Sequence, residues 1–300
     1  MKTPTAATEQ IWEERRTEVA GTSTRYLESG RGTPVLLLHG EGSVSEIWSE
    51  VLEGLADTHR VVAVDLPGFG HTEKLPHVDA AALAAFVWKF AQALGMRNPS
   101  VVGHSLGAAV AVHMALQQPS QVPALVLVSS SGMGRVLSPV LALQAGTPLG
   151  DLTALVPRLP LGPQLLVASS AVMGACRPWR VSPAWFASQV KSIAVPETLR
   201  TTLRLQRSSV GLLGQRNLLL DKLSELRMPT LVVWGTQDRL VPFWQAFGAR
   251  RRLGRGRLKL IGCCGHLVPQ EAAGELLSAV RPFLARAGDR ADNGAAERGR

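Results

Sequence analysis

The chain has 300 residues, enough to bury one large core and too few for several full-sized domains. Hydrophobic residues make up 46% of it and charged residues 18%, which excludes an intrinsically disordered protein. The net charge of +9 raises the question of nucleic acid, but the basic run from Arg250 to Lys259 lacks interleaved aromatics and matches no nucleic-acid module, so it reads as a solvated face.

The first ten residues are polar and read as a flexible end. Ile11–Glu28 alternates loosely around Ala20–Gly21, the pattern of an antiparallel hairpin at a sheet edge. Val35–His39 and Val61–Asp65 are short, apolar and β-branched, as buried parallel strands are. Between and after them, Ile47, Val51 and Leu55, then Leu83, Val87, Phe90 and Leu94, carry helical spacing. Val101–Gly103 is a further strand, Leu106 to Gln117 an alanine-rich helix, and Leu125–Val128 another strand. From 131 to 227 the alternation stops; leucine, proline and glycine dominate and β signal is sparse, as in a helical insertion. Strands return at Leu231–Trp234 and Leu258–Ile261, and residues 287–300 read as a second flexible end. The expected fold is α/β: a mostly parallel eight-stranded sheet with helices on both faces. Its core comprises residues 11–130 and 228–286, and a helical cap comprises 131–227.

The chemistry concentrates at three strand ends. Gly103-His104-Ser105-Leu106-Gly107 is a G-x-S-x-G between a strand and a helix, the context that places a serine hydroxyl on a sharp, exposed turn. A serine needs a base to take its proton, and the base needs a third group to fix its tautomer. Asp238 follows one later strand and His266 the next, so all three converge on the carboxyl edge of the sheet in the order Ser, Asp, His. Taken singly, Ser105 could be a helix cap, Asp238 a turn residue and His266 a cap before Pro269; the joint arrangement favours a triad. Two amides are needed to hold an oxyanion. The candidates are those of Leu106, directly after the serine, and Glu41, in the turn His39-Gly40-Glu41-Gly42. His39 reads as a structural residue holding that turn.

These motifs together resemble the α/β-hydrolase superfamily over nearly the whole chain. LLLHG with Trp48 following, DLPGFG at 65–70, WGTQDRLVP and GCCGHLVPQE all look like segments of that family. The resemblance implies an esterase-like serine hydrolase with Ser105 as nucleophile, His266 as base and Asp238 as its acid. Asp65 is a rival acid ranked below Asp238. The HGE at 39–41 is similar to some dehalogenases, but dehalogenases and epoxide hydrolases of the superfamily use an aspartate where this chain has Ser105. Carbon–carbon hydrolases often carry tryptophan after the histidine, and here it is Leu267.

The implied substrate is a small, largely apolar carboxylic ester, thioester or lactone; Trp179, Trp185 and Phe186 of the cap either contact it or form a small core of the cap itself. The arginines of the cap leave room for an anionic group on the substrate. Carbon–carbon hydrolysis and cofactor-free perhydrolysis use the same triad, and a catalytically silent binding protein is the alternative of another class. No metal or organic cofactor is expected: the three cysteines, Cys176, Cys263 and Cys264, form neither a zinc pattern nor a disulfide framework. The N-terminus has no apolar signal core, and no uncharged apolar run reaches the roughly 20 residues that span a bilayer. A cytoplasmic location with a small-molecule substrate, and with neither nucleic acid nor membrane as partner, is the expectation.

Overall fold

The computed structural model describes residues 11–298. The expected flexible end at 1–10 lies outside the described residues. The chain opens with β1 (Glu13–Val19) and β2 (Thr22–Ser29), joined by Ala20 and Gly21. Both turn residues have positive φ, 51° and 78°, as the two-residue primed turn of a twisted hairpin requires. Then come β3 (Thr33–Leu38), a 3-10 turn over 45–48, α1 (Ser49–Leu55), β4 (His59–Val64) and α2 (Ala80–Ala93). Asp79 caps α2 by accepting the Ala82 N–H at 2.7 Å. The central unit is β5 (Ser100–His104), α3 (Leu106–Gln117) and β6 (Leu125–Val128).

After β6 the chain leaves the sheet for α4 (Pro139–Gly146), α5 (Leu149–Thr153), α6 (Gly162–Gly174), α7 (Pro183–Ala194) and α8 (Pro196–Ser209). A small hairpin, β7 (Val210–Gly211) and β8 (Gly214–Gln215), follows; it falls in a stretch where the sequence suggests little strand. Strands of two residues carry no periodicity to read. The sheet resumes with β9 (Thr230–Gly235), α9 (Gln245–Arg252) and β10 (Gly256–Ile261), and the described chain closes with α10 (Val268–Glu271) and α11 (Ala273–Arg298). The polar composition of 287–300 suggests a flexible end; α11 instead continues as helix to Arg298. Its Ala, Arg and Glu residues are good helix formers, which a reading from polar composition undervalues.

The sheet order is β1-β2-β4-β3-β5-β6-β9-β10. β1–β2 and β2–β4 pair antiparallel and the remaining neighbours pair parallel. Alternate residues of each buried strand feed two cores. Leu36, Leu38, Val101 and Leu127 pack with α2 and α3 on one face. Val35, Leu37, Val102 and Val126 pack against α1 and α11 on the other. Two covered faces explain why the strands read as unbroken apolar runs rather than as alternation.

Candidate active site

Ser105 sits between the last residue of β5 and the first of α3 with φ 54° and ψ −114°. A non-glycine residue persists in such a conformation only where its surroundings enforce it. The enforcement is steric. A Cβ on Gly103 would fall onto the backbone of Gly107, and one on Gly107 onto the carbonyls of Leu38 and His39. The glycines of G-x-S-x-G thus let β5, α3 and the end of β3 approach closely. The Leu106 N–H begins α3, where helix geometry leaves amides free and positive in character.

His266 and Asp238 meet across two loops. His266 Nδ1 lies 2.8 Å from Asp238 Oδ2, both side chains buried. Asp238 is itself held firmly. Its Oδ1 accepts the Leu240 and Val241 amides at 2.9 Å each, and its Oδ2 also accepts Trp234 Nε1–H at 3.1 Å. With Nδ1–H directed at the carboxylate, Nε2 of His266 is left as the ring's proton acceptor. Ser105, His266 and Leu106 line one cavity of about 910 Å³. The Ser105 hydroxyl has Ser131 Oγ at 3.5 Å, and the Ser131 amide donates to the Ser105 carbonyl at 3.2 Å.

Glu41 lies on the wall of the same cavity, in the turn after β3. That turn packs directly on Ser105: a Cβ on Gly40 would stand 3.2 Å from Ser105 Cβ. The turn is held from behind by His39, whose Nε2 accepts the Leu66 amide at 2.9 Å and whose Nδ1 faces the Gly40 carbonyl at 2.7 Å. Burial holds the His39 ring below the ordinary histidine range, so it is a neutral brace. The Glu41 carboxyl is pushed up to about 8 by burial, with the hydrogen bond to Gln206 opposing the shift. A residue considered in the sequence for its backbone amide therefore also brings an uncharged carboxylic acid to the cavity that Ser105 lines at neutral pH.

Asp65 is not near His266. It accepts the Ser45 and His71 amides at 2.8 and 3.0 Å and pairs with Arg25 at 3.1 Å, within a buried cluster that includes Glu46. Three residues escape a reading of the sequence. Ser131 is one. The second is His104, whose Nε2–H donates to the His266 carbonyl at 2.9 Å and whose ring lies 4.9 Å, centroid to centroid, from that of His266. Burial, then the neighbouring His266, holds His104 well below the ordinary histidine range, so it acts as a neutral prop. The third is Glu271, whose Oε1 accepts the Gly265 amide and whose Oε2 accepts those of Cys176 and Arg177, all at 2.8 Å. The His266 amide donates to the Gly174 carbonyl at 2.6 Å, so the histidine loop and the end of α6 are stitched together. Among the described residues no group of three or more His, Cys, Asp or Glu side chains could hold a metal ion.

A model of the alpha/beta hydrolase fold family matches residues 33–273. The chain belongs to that family. It is 34% identical over 221 residues to a pimeloyl-[acyl-carrier protein] methyl ester esterase of Vibrio cholerae, covering 71% of this chain and 79% of that protein. It is 28% identical over 295 residues to a 2-hydroxy-6-oxo-6-(2'-aminophenyl)hexa-2,4-dienoic acid hydrolase of Metapseudomonas resinovorans, covering 94% of each. Among solved structures, a bacterial membrane phospholipase A superposes with a TM-score of 0.77 at 25% identity, over 93% of this chain and 87% of that one.

Proposed function

We propose that this protein is a serine hydrolase that cleaves a carboxylic ester, thioester or lactone with a small, largely apolar acyl group. The observation that carries the reading is His266, paired with Asp238 at 2.8 Å, on the same cavity as a serine held at a strained strand-to-helix turn. In this mechanism His266 Nε2 takes the Ser105 proton as Oγ attacks the carbonyl carbon. The amides of Leu106 and Glu41 receive the oxyanion. Collapse of the tetrahedral intermediate breaks the bond to the alcohol or thiol, which leaves with the proton from His266; water then enters by the same route and releases the acid. Asp238 holds the imidazole tautomer throughout. The helices of 131–227 cover the site in the manner of a cap, and the protein works with a small-molecule substrate in the cytoplasm without a cofactor.

The similarity to the Metapseudomonas hydrolase, end to end, supports a second reading: hydrolysis of a carbon–carbon bond by the same residues. Leu267 in place of a tryptophan after the histidine weighs towards the ester. A fluorophosphonate probe tests the common ground. Covalent labelling of the native protein, lost in both Ser105→Ala and His266→Ala, is the expected outcome. An unlabelled but folded native protein would sink the serine-hydrolase reading. Comparing acyl esters with a vinylogous 1,5-diketone then separates the two bond types.

A further inference from the structure

Residues 131–227 have an outer face whose composition is unusual for a surface. Of the eighteen exposed large hydrophobic residues among the described side chains, fifteen lie in this segment. Between Val136 and Cys176 the sequence holds two charged residues, Asp151 and Arg158. The exposed positions follow the consecutive elements α4, α5 and the start of α6, including Leu152, Leu159, Leu161 and Leu165, which are 59–67% exposed. The β7–β8 tip joins them. Leu213 is 91% exposed, and Leu212 packs against α4, where a Cβ on Gly146 would stand 2.8 Å from its Cδ2. Monomeric soluble proteins rarely leave a contiguous apolar surface of this kind without a partner.

Charge distinguishes the partners. The 131–227 segment carries eleven Lys and Arg against four Asp and Glu, so seven of the chain's nine net positive charges lie in it. Arg207 binds Asp151 of α5 at 2.7 Å, which ties α8 to the apolar face; the exposed Arg200 and Arg204 of α8 share Glu197 as a partner, an excess of positive charge over negative. Arg135 borders it at the hairpin, where Gly214 lies against the Arg135 backbone. A second copy of this chain would bring the same positive charge to the interface and be repelled, whereas an anionic lipid surface offers apolar chains and negative headgroups together. The face also adjoins the cavity: Val140, Leu143 and Leu149 line the cavity wall and are about half exposed.

We propose that this apolar, basic-rimmed face docks on an anionic lipid surface, with the mouth of the cavity turned towards the acyl chains. The proposal departs from the sequence expectation of no membrane partner, and goes beyond the ester reading because docking does not require Ser105 chemistry. Co-sedimentation with phosphatidylcholine vesicles, with and without phosphatidylglycerol, tests it on the full chain and on Leu152→Asp/Leu159→Asp and Leu213→Asp variants. These positions are exposed and off the cavity wall, so circular dichroism and turnover of a short soluble ester should match the native protein. The expected result is binding to the anionic vesicles at least tenfold tighter than to neutral ones, weakened by salt and reduced tenfold or more in the variants. Failure to bind anionic vesicles, or equal binding to neutral ones, overturns the proposal. So does a native dimer in light scattering that the same substitutions dissociate, because a second copy would then cover the face. If the vesicles bind and the fluorophosphonate does not, docking stands and the hydrolase reading falls.

Discussion

Glu41 bears on the proposed chemistry in two ways, through its amide as a proposed oxyanion donor and through a carboxyl that burial pushes up to about 8. Protonated, that carboxyl is harmless to a developing negative oxygen; ionised, it repels it. Activity should therefore fall as pH rises and Glu41 ionises near 8. Glu41→Gln should lose that alkaline fall, and a pH–rate profile for kcat/KM that keeps it in the variant would refute the assignment. Stability moves with the same sign. A carboxyl raised from 4.5 to about 8 favours folding of its protonated form, so its cost is absent below about 4.5 and complete above about 8. Stability from this group thus declines as pH rises through that window.

The elements differ in how plainly they are written in the sequence. β3, β5 and β9 are legible because strands buried on both faces need apolar residues at every position. The strand–serine–helix turn is legible because its steric demands are met by near neighbours, Gly103 and Gly107. The supports of His266 are not, since they depend on proximity between distant segments: His104 touches a carbonyl 162 residues away. Glu271 illustrates the point best, reading as an ordinary polar residue of a short helix while holding three amides from two loops. Glu271→Ala leaves those donors unpaired at about 1–3 kcal/mol for each buried one. It should lower both the urea midpoint and kcat, with KM little changed, because it loosens the loop carrying His266 rather than a substrate contact. Native kcat in a stable Glu271→Ala protein would remove it from the active-site scaffold. Arg25 is a second hidden support, joining β2 to the carboxylates of Glu46 and Asp65. Burial would raise Asp65, but Arg25 and the His71 amide outweigh it and hold the carboxyl below its ordinary value. The stability this confers is present above the unfolded carboxylate range and lost as pH falls through the folded value. Arg25→Leu should cost about 3–5 kcal/mol at pH 7 by stranding buried charge, and less at about pH 3. Urea unfolding at the two pH values checks this, and an equal cost at both would argue against the charge explanation.

At the scale of the whole molecule, the sheet supplies a rigid edge and the inserted helices supply volume. The catalytic candidates come from loops after β3, β5, β9 and β10, all fixed by the parallel core. The wall opposite them is built by residues such as Leu141, Leu166 and Leu205 from α4, α6 and α8. The insertion is legible as a break in alternation, while its individual helices are not, because half-exposed helices with apolar outer faces blur the one-sided pattern. Under the proposed mechanism, this division of labour makes substrate length a property of the insertion rather than of the proposed triad. A cavity of about 910 Å³ stands near the upper end of small-molecule sites, which span roughly 300–1,000 Å³. If the acyl chain fills it, each added methylene removes apolar surface from water at about 0.8 kcal/mol, roughly a fourfold gain in kcat/KM. A series of p-nitrophenyl esters from acetyl to octanoyl should climb at that order of slope, and enlarging Leu205 to Trp should cut off the longer members while sparing the acetyl ester. A flat series, or a Leu205→Trp protein that slows every ester equally, would place the acyl group outside this cavity and assign the insertion a role other than selecting chain length.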